Sequence, residues 1–73
     1  MVTVYSKPAC VQCNATYRHL DKLGVEYDVV DMSQDPDAVE KVRELGFVQA
    51  PVVISDEDSW SGYVPDKIDA LAQ

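Results

Sequence analysis

Cys10 and Cys13 are the only cysteines of the chain, and just Val11 and Gln12 lie between them. Within the first turn of a helix that spacing brings both sulfurs to about disulfide distance without moving the backbone, so the pair can cycle between dithiol and disulfide. The start of a helix suits this chemistry. Its first amide N–H groups have no intrahelical partner, and together with the macrodipole they favour negative charge, here a thiolate. Cys10 falls at that start and is expected to be the nucleophile, its acidity raised above that of an ordinary thiol. Cys13 shares a stripe with Thr16, Leu20 and Leu23, the core-facing side of a helix, and is expected to be the more buried, resolving thiol. Lys7, shortly before Cys10, either adds a cation on the approach or is simply solvated.

Three other uses of the pair stand beside this one. Zinc needs four ligands for a closed site, and the chain offers no third cysteine. His19, the only histidine, lies well off the helical face of Cys13, so zinc would require two chains. A permanent disulfide would suit a secreted domain. Against it, Met1 to Tyr5 has neither the basic segment nor the long apolar run of a signal peptide and reads as a strand, so a reducing, cytoplasmic setting is expected. Two inert buried thiols are the third possibility.

The elements that must hold the cysteines can be read outward from them. Val2 to Ser6 alternates apolar and polar residues as a short strand does, and Lys7-Pro8-Ala9 breaks the pattern before the cysteines. A helix then runs from about Val11 to Leu23, where Gly24 stops it. Val25 to Met32 reads as a second strand, with Val25, Tyr27 and Val29 turned inward and Val30 a further candidate. Strand, crossover helix and strand form a βαβ unit, so these two strands should be parallel. Asp35 can cap a second helix that Pro36 opens, with Asp37 at the positive end of its dipole. That helix should end near Gly46 and bury Val39, Val42 and Leu45. Val48 to Ala50 is a loop, and Pro51 to Ile54 a third strand. Ser55 to Ser59 is an acidic turn leading to a fourth strand around Trp60 to Gly62 as a hairpin. Pro65 opens a last helix, with Ile68 and Leu71 as its inner face. The order β-α-β-α-β-β-α is that of an α/β domain with three helices covering a four-stranded mixed sheet. A Cys-x-x-Cys at the first β-to-α junction of such a pattern reads as a thioredoxin-like redox domain.

With 73 residues, 47% of them hydrophobic, residues 1–73 make one domain near the small end of what folds alone, and a monomer is expected. No apolar run approaches the roughly 20 residues of a membrane span. A formal net charge of −7 disfavours nucleic acid or an anionic membrane as partner, since both repel an acidic surface.

Three stretches carry a family resemblance: Lys7-Pro8-Ala9-Cys10-Val11-Gln12-Cys13, then Gln49-Ala50-Pro51-Val52-Val53, then Trp60-Ser61-Gly62-Tyr63 followed by Pro65-Asp66-Lys67-Ile68. Together they resemble the glutaredoxin-like branch of the thioredoxin fold, and most closely the NrdH-redoxin family, over essentially the whole chain. The resemblance implies a cis-proline opposite the cysteines, at Pro51, although by itself Pro51 would read as the first residue of an edge strand. It implies that the backbone of Ala50 presents its N–H and C=O beside Cys10, where an extended partner segment could add as a strand. Partner contacts would then come from Lys7, Val11, Gln12, Ala50, Pro51, Trp60, Ser61 and Gly62. For Trp60 a core or hairpin position is the first reading and a partner-facing indole the second.

Glutaredoxins usually carry proline and an aromatic residue between their cysteines and a Gly-Gly-x-Asp-like turn for glutathione, neither of which this chain has. NrdH-redoxins take electrons from thioredoxin reductase, hence from NADPH, and pass them to the large subunit of class Ib ribonucleotide reductase. The resemblance thus implies a dithiol–disulfide electron carrier with a redox-active Cys10–Cys13 pair, no bound cofactor and no metal. A carrier dependent on glutathione or another small thiol is the alternative within the class, and a redox-sensing or metal-binding module the alternative outside it. The chain departs from the family pattern at Val64, where a basic residue is usual.

Overall fold

The computed structural model describes residues 1–72. The elements are β1 (Val2–Ser6), α1 (Val11–Leu23), β2 (Tyr27–Asp31), α2 (Pro36–Glu44), β3 (Val52–Ile54), β4 (Ser59–Ser61) and α3 (Pro65–Leu71). They form one four-stranded sheet in the order β2-β1-β3-β4. β1 runs parallel to β2, with Val4 opposite Val29, and antiparallel to β3, which is antiparallel to β4. This is the thioredoxin-like α/β fold, with the first strand pair parallel and the last antiparallel as the element order implies.

Local chemistry sets the helix ends. Gly24 closes α1 in the left-handed conformation (φ 71°), open to glycine without steric penalty. At α2 the Asp35 carboxylate accepts the Ala38 N–H at 3.2 Å, and Pro36 occupies the first helical position, where its missing N–H is not needed. Asp35→Ala should therefore cost about 1 kcal/mol of stability, read as a lower urea midpoint at unchanged slope.

Alternation along the strands divides the core between the two faces of the sheet. Val2, Val4, Val53 and Trp60 pack with Leu20 of α1 and Ile68 of α3 on one face. Tyr5 and Val52 pack with Ala38 and Val42 of α2 on the other.

Two inward assignments are corrected. Val29 is 51% exposed, because β2 is an edge strand that the helices do not reach across, whereas Tyr27 and Val30 pack against the two cores. On α2 the buried pair is Ala38 and Val42, one helical turn apart, while Leu45 stands at the C-cap and is exposed. The helix stops at Glu44, so the three-residue periodicity that included Leu45 runs past its end. β2 is also shorter than Val25 to Met32. β3 begins at Val52 and β4 at Ser59, each one residue away from the start expected from sequence.

Candidate functional site

Three loops meet at the end of the sheet where β1 hands over to α1. In the first, Ala9 adopts a positive φ of 56°, turning the chain so that Cys10 becomes the N-cap of α1. The Cys10 Sγ accepts the N–H of Cys13 at 3.1 Å. Sulfur thus takes the place a serine or aspartate oxygen usually holds, a position that favours its anionic form. The two cysteines are joined as a disulfide with Cα atoms 5.2 Å apart. Cys10 is 8% exposed and opens onto the surface, while Cys13, at 1%, lies behind it on the buried stripe with Thr16 and Leu20. An incoming disulfide can therefore reach Cys10 first.

The second loop carries a cis Ala50–Pro51 bond. A hollow of about 390 Å³ separates it from the cysteine turn, lined by Lys7, Ala9, Cys10, Val11, Gln12, Val48, Gln49 and Ala50. Among the described residues no backbone hydrogen bond engages the N–H or C=O of Ala50, so both are open to an extended segment laid beside Cys10.

The third loop follows β4 and ties the other two together. Ser61 Oγ donates to the Gln49 carbonyl at 2.9 Å, the Gly62 N–H donates to the Pro51 carbonyl at 2.7 Å, and the Tyr63 N–H donates to Gln12 Oε1 at 3.1 Å. Gly62 has φ 87°, a conformation that calls for glycine, and a Cβ there would come within 3.3 Å of Gln12 Oε1, which would have to give by a few tenths of an ångström.

The Tyr63 hydroxyl meets His19 Nδ1 at 2.8 Å, and His19 Nε2 meets Asp69 Oδ1 at 2.6 Å. With Nε2–H donating to the Asp69 carboxylate, a neutral ring leaves Nδ1 to accept the tyrosine O–H. Val64 packs against the core instead of making polar contacts. The turn that would carry a basic residue in the family pattern is thus tethered through Tyr63 to α1 and α3. Tyr63→Phe should lower stability by about 1 kcal/mol, checked by denaturant unfolding, because it leaves a half-buried imidazole nitrogen without its partner.

Of the residues singled out from sequence, Lys7, Val11, Gln12 and Ala50 line the hollow with Cys10, and Val11 is 80% exposed. Pro51 is buried. Ser61 and Gly62 are half-buried and brace Gln49 and Pro51 through these hydrogen bonds. Trp60 takes the core position, with Lys67 Nζ over its ring at 5.7 Å from the centroid. Lys67 also donates to Asp58 at 2.8 Å, which holds the Asp58 carboxyl below the usual carboxylate range. Sequence reading passed over Val48, 89% exposed beside the hollow, and assigned His19 no contact. The partners of His19 lie 44 and 50 residues away, and no periodicity within α1 reports them. Among the described residues no three His, Cys, Asp or Glu side chains group as metal ligands, and no helix is long and apolar enough to cross a membrane.

Comparison with known proteins agrees with this geometry. A glutaredoxin family model matches residues 2–60. The glutaredoxin-like protein NrdH of Escherichia coli K12 is 41% identical over 70 residues, covering 96% of this chain and 86% of the relative. The NrdH protein of Lactococcus lactis subsp. lactis is 40% identical over 72 residues, covering 99% of this chain and all of the relative. The solved structure of E. coli NrdH-redoxin, described as a glutaredoxin-like protein with a thioredoxin-like activity profile, superposes with a TM-score of 0.93 at 41% identity, over 96% of this chain and 92% of that one. A cysteine pair at a helix start, a cis-proline beside it and a match across nearly the full length place the chain in the glutaredoxin family, as an NrdH-type thiol–disulfide oxidoreductase.

Proposed function

We propose that the chain is an electron carrier that takes reducing equivalents from thioredoxin reductase, and so from NADPH, and delivers them to a protein disulfide, that of the large subunit of class Ib ribonucleotide reductase. The observation that carries this reading is the pairing of an accessible N-cap sulfur, Cys10, with a buried Cys13 and an open backbone edge at Ala50. In the reduced protein the Cys10 thiolate attacks one sulfur of the substrate disulfide. That S–S bond breaks as the mixed disulfide forms, and the departing thiolate takes up a proton. Cys13, giving up its proton, then attacks Cys10 Sγ and expels the second substrate thiolate. Two electrons pass to the substrate, and Cys10–Cys13 is left oxidised for the reductase to reset. A donor of this kind should have a potential on the order of −270 mV.

Support for thioredoxin reductase over glutathione comes from the third loop. Its Ser61 hydroxyl and Gly62 N–H are already committed as donors to Gln49 and Pro51. The test is to offer the oxidised protein NADPH with thioredoxin reductase in one arm and glutathione in the other, following the free thiols formed. Rapid reduction in the first arm and slow reduction in the second is expected. The opposite order would overturn the assignment of the electron source, and failure of the reduced protein to support a class Ib reductase would overturn that of the acceptor.

A further inference from the structure

A second hollow, of about 350 Å³, adjoins the one at Cys10, with Lys7, Gln49, Ala50 and Val48 lining both. Its floor and sides come from Met32, Val39, Val42 and Phe47, and Arg43 of α2 stands on its wall. The charge distribution around this double hollow is the reverse of that of the chain. The protein has 13 Asp and Glu against 6 Lys and Arg, yet among the described residues no carboxylate lines either hollow, while two of the six cations do. Among the described residues neither Lys7 nor Arg43 has a carboxylate within ion-pair distance, although Lys67 and the amino terminus each have one. In a chain with a twofold excess of acids, two unpaired cations beside an apolar floor form a site complementary to a segment that is apolar and negatively charged.

From this we infer that the protein selects its substrates by a short acidic and apolar sequence next to the disulfide: an extended segment pairs with Ala50, an apolar side chain enters the Met32, Val39 and Phe47 hollow, and a carboxylate meets Lys7 and Arg43. The inference rests on the disulfide-reductase reading and names the substrate class of that same site. The rest of the acidic surface acts in the opposite sense, repelling acidic proteins that lack such a segment. Alternation along the added strand puts every second side chain on the same side, so one short stretch can supply both groups. Each exposed ion pair contributes little, and two together should favour an acidic over a basic segment by about tenfold at low ionic strength.

The experiment uses the full chain, reduced with dithiothreitol and freed of it, so that the electron source plays no part. Two synthetic peptides contain the same disulfide loop and the same flanking leucine, and differ in carrying either two glutamates or two lysines beside it. The expected result is about tenfold faster reduction of the acidic peptide, a gap that narrows in 0.5 M salt. With Arg43→Glu and Lys7→Gln combined, the preference should vanish or reverse. Equal rates for the two peptides, a preference for the basic one, or a preference for the acidic one that survives the double substitution would each overturn the inference. Reduction of neither peptide would count against the disulfide-reductase reading itself, which separates the two failures.

Discussion

Cys10→Ser is expected to abolish disulfide reduction, whereas Cys13→Ser is expected to stop the cycle halfway with the substrate covalently attached. The asymmetry follows from position. Only Cys10 sits at the helix cap, where the Cys13 N–H points at its sulfur, and only Cys10 has an opening to solvent. A serine there offers an alcohol, which is not ionised near neutral pH and cannot displace a thiolate, so turnover should fall to the uncatalysed rate. A serine at Cys13 leaves the first attack intact and removes the second. The reduced Cys13→Ser protein mixed with an oxidised protein substrate should thus give a one-to-one adduct on a non-reducing gel, released by dithiothreitol. An adduct formed instead by Cys10→Ser would exchange the roles of the two residues.

Ile68→Ala is expected to have the largest effect on stability. α3 spans only Pro65–Leu71, too short to be helical in isolation, and Ile68, fully enclosed, is its one buried residue. Truncating a buried isoleucine costs about 2–5 kcal/mol, depending on how far the surroundings collapse. A domain of this size has about 4–11 kcal/mol in total, so the variant should lose a large share of its stability and unfold at a markedly lower temperature. Because α3 carries Asp69, its loosening should also free His19 and Tyr63. Thermal unfolding followed by far-ultraviolet circular dichroism gives the stability. Loss of protection at the Tyr63 amide, which donates to Gln12, tests whether the effect reaches the cysteine turn.

How legible this molecule was in its sequence depends on the range of the interactions concerned. α1 was readable to both of its ends because Cys10, the stripe through Cys13, Thr16 and Leu20, and the stop at Gly24 are local signals. The same holds for Asp35 and Pro36 at the start of α2. Val29 and Leu45 were misplaced because their exposure depends on what lies across from them: an open sheet edge in one case, the end of a helix in the other. At the site, the cysteines announced themselves by spacing, and Pro51 and the Ser61 to Tyr63 turn through family resemblance. The cations of the double hollow were legible only in part. Lys7 stands close to Cys10 in the chain, but Arg43 reaches the hollow from a separate helix and shares no pattern with the motif.

The position of β2 has one more consequence. Among the described residues its outer rim has no neighbouring strand, and Val29 stands there half-exposed, with Asp28 beside it and Asp31 at the end of the strand. Bare rims of this kind are templates on which sheets of other molecules can grow, and charged side chains are the usual guard. Replacing both aspartates by asparagine should accordingly shorten the lag before fibrils appear in a dye-binding assay.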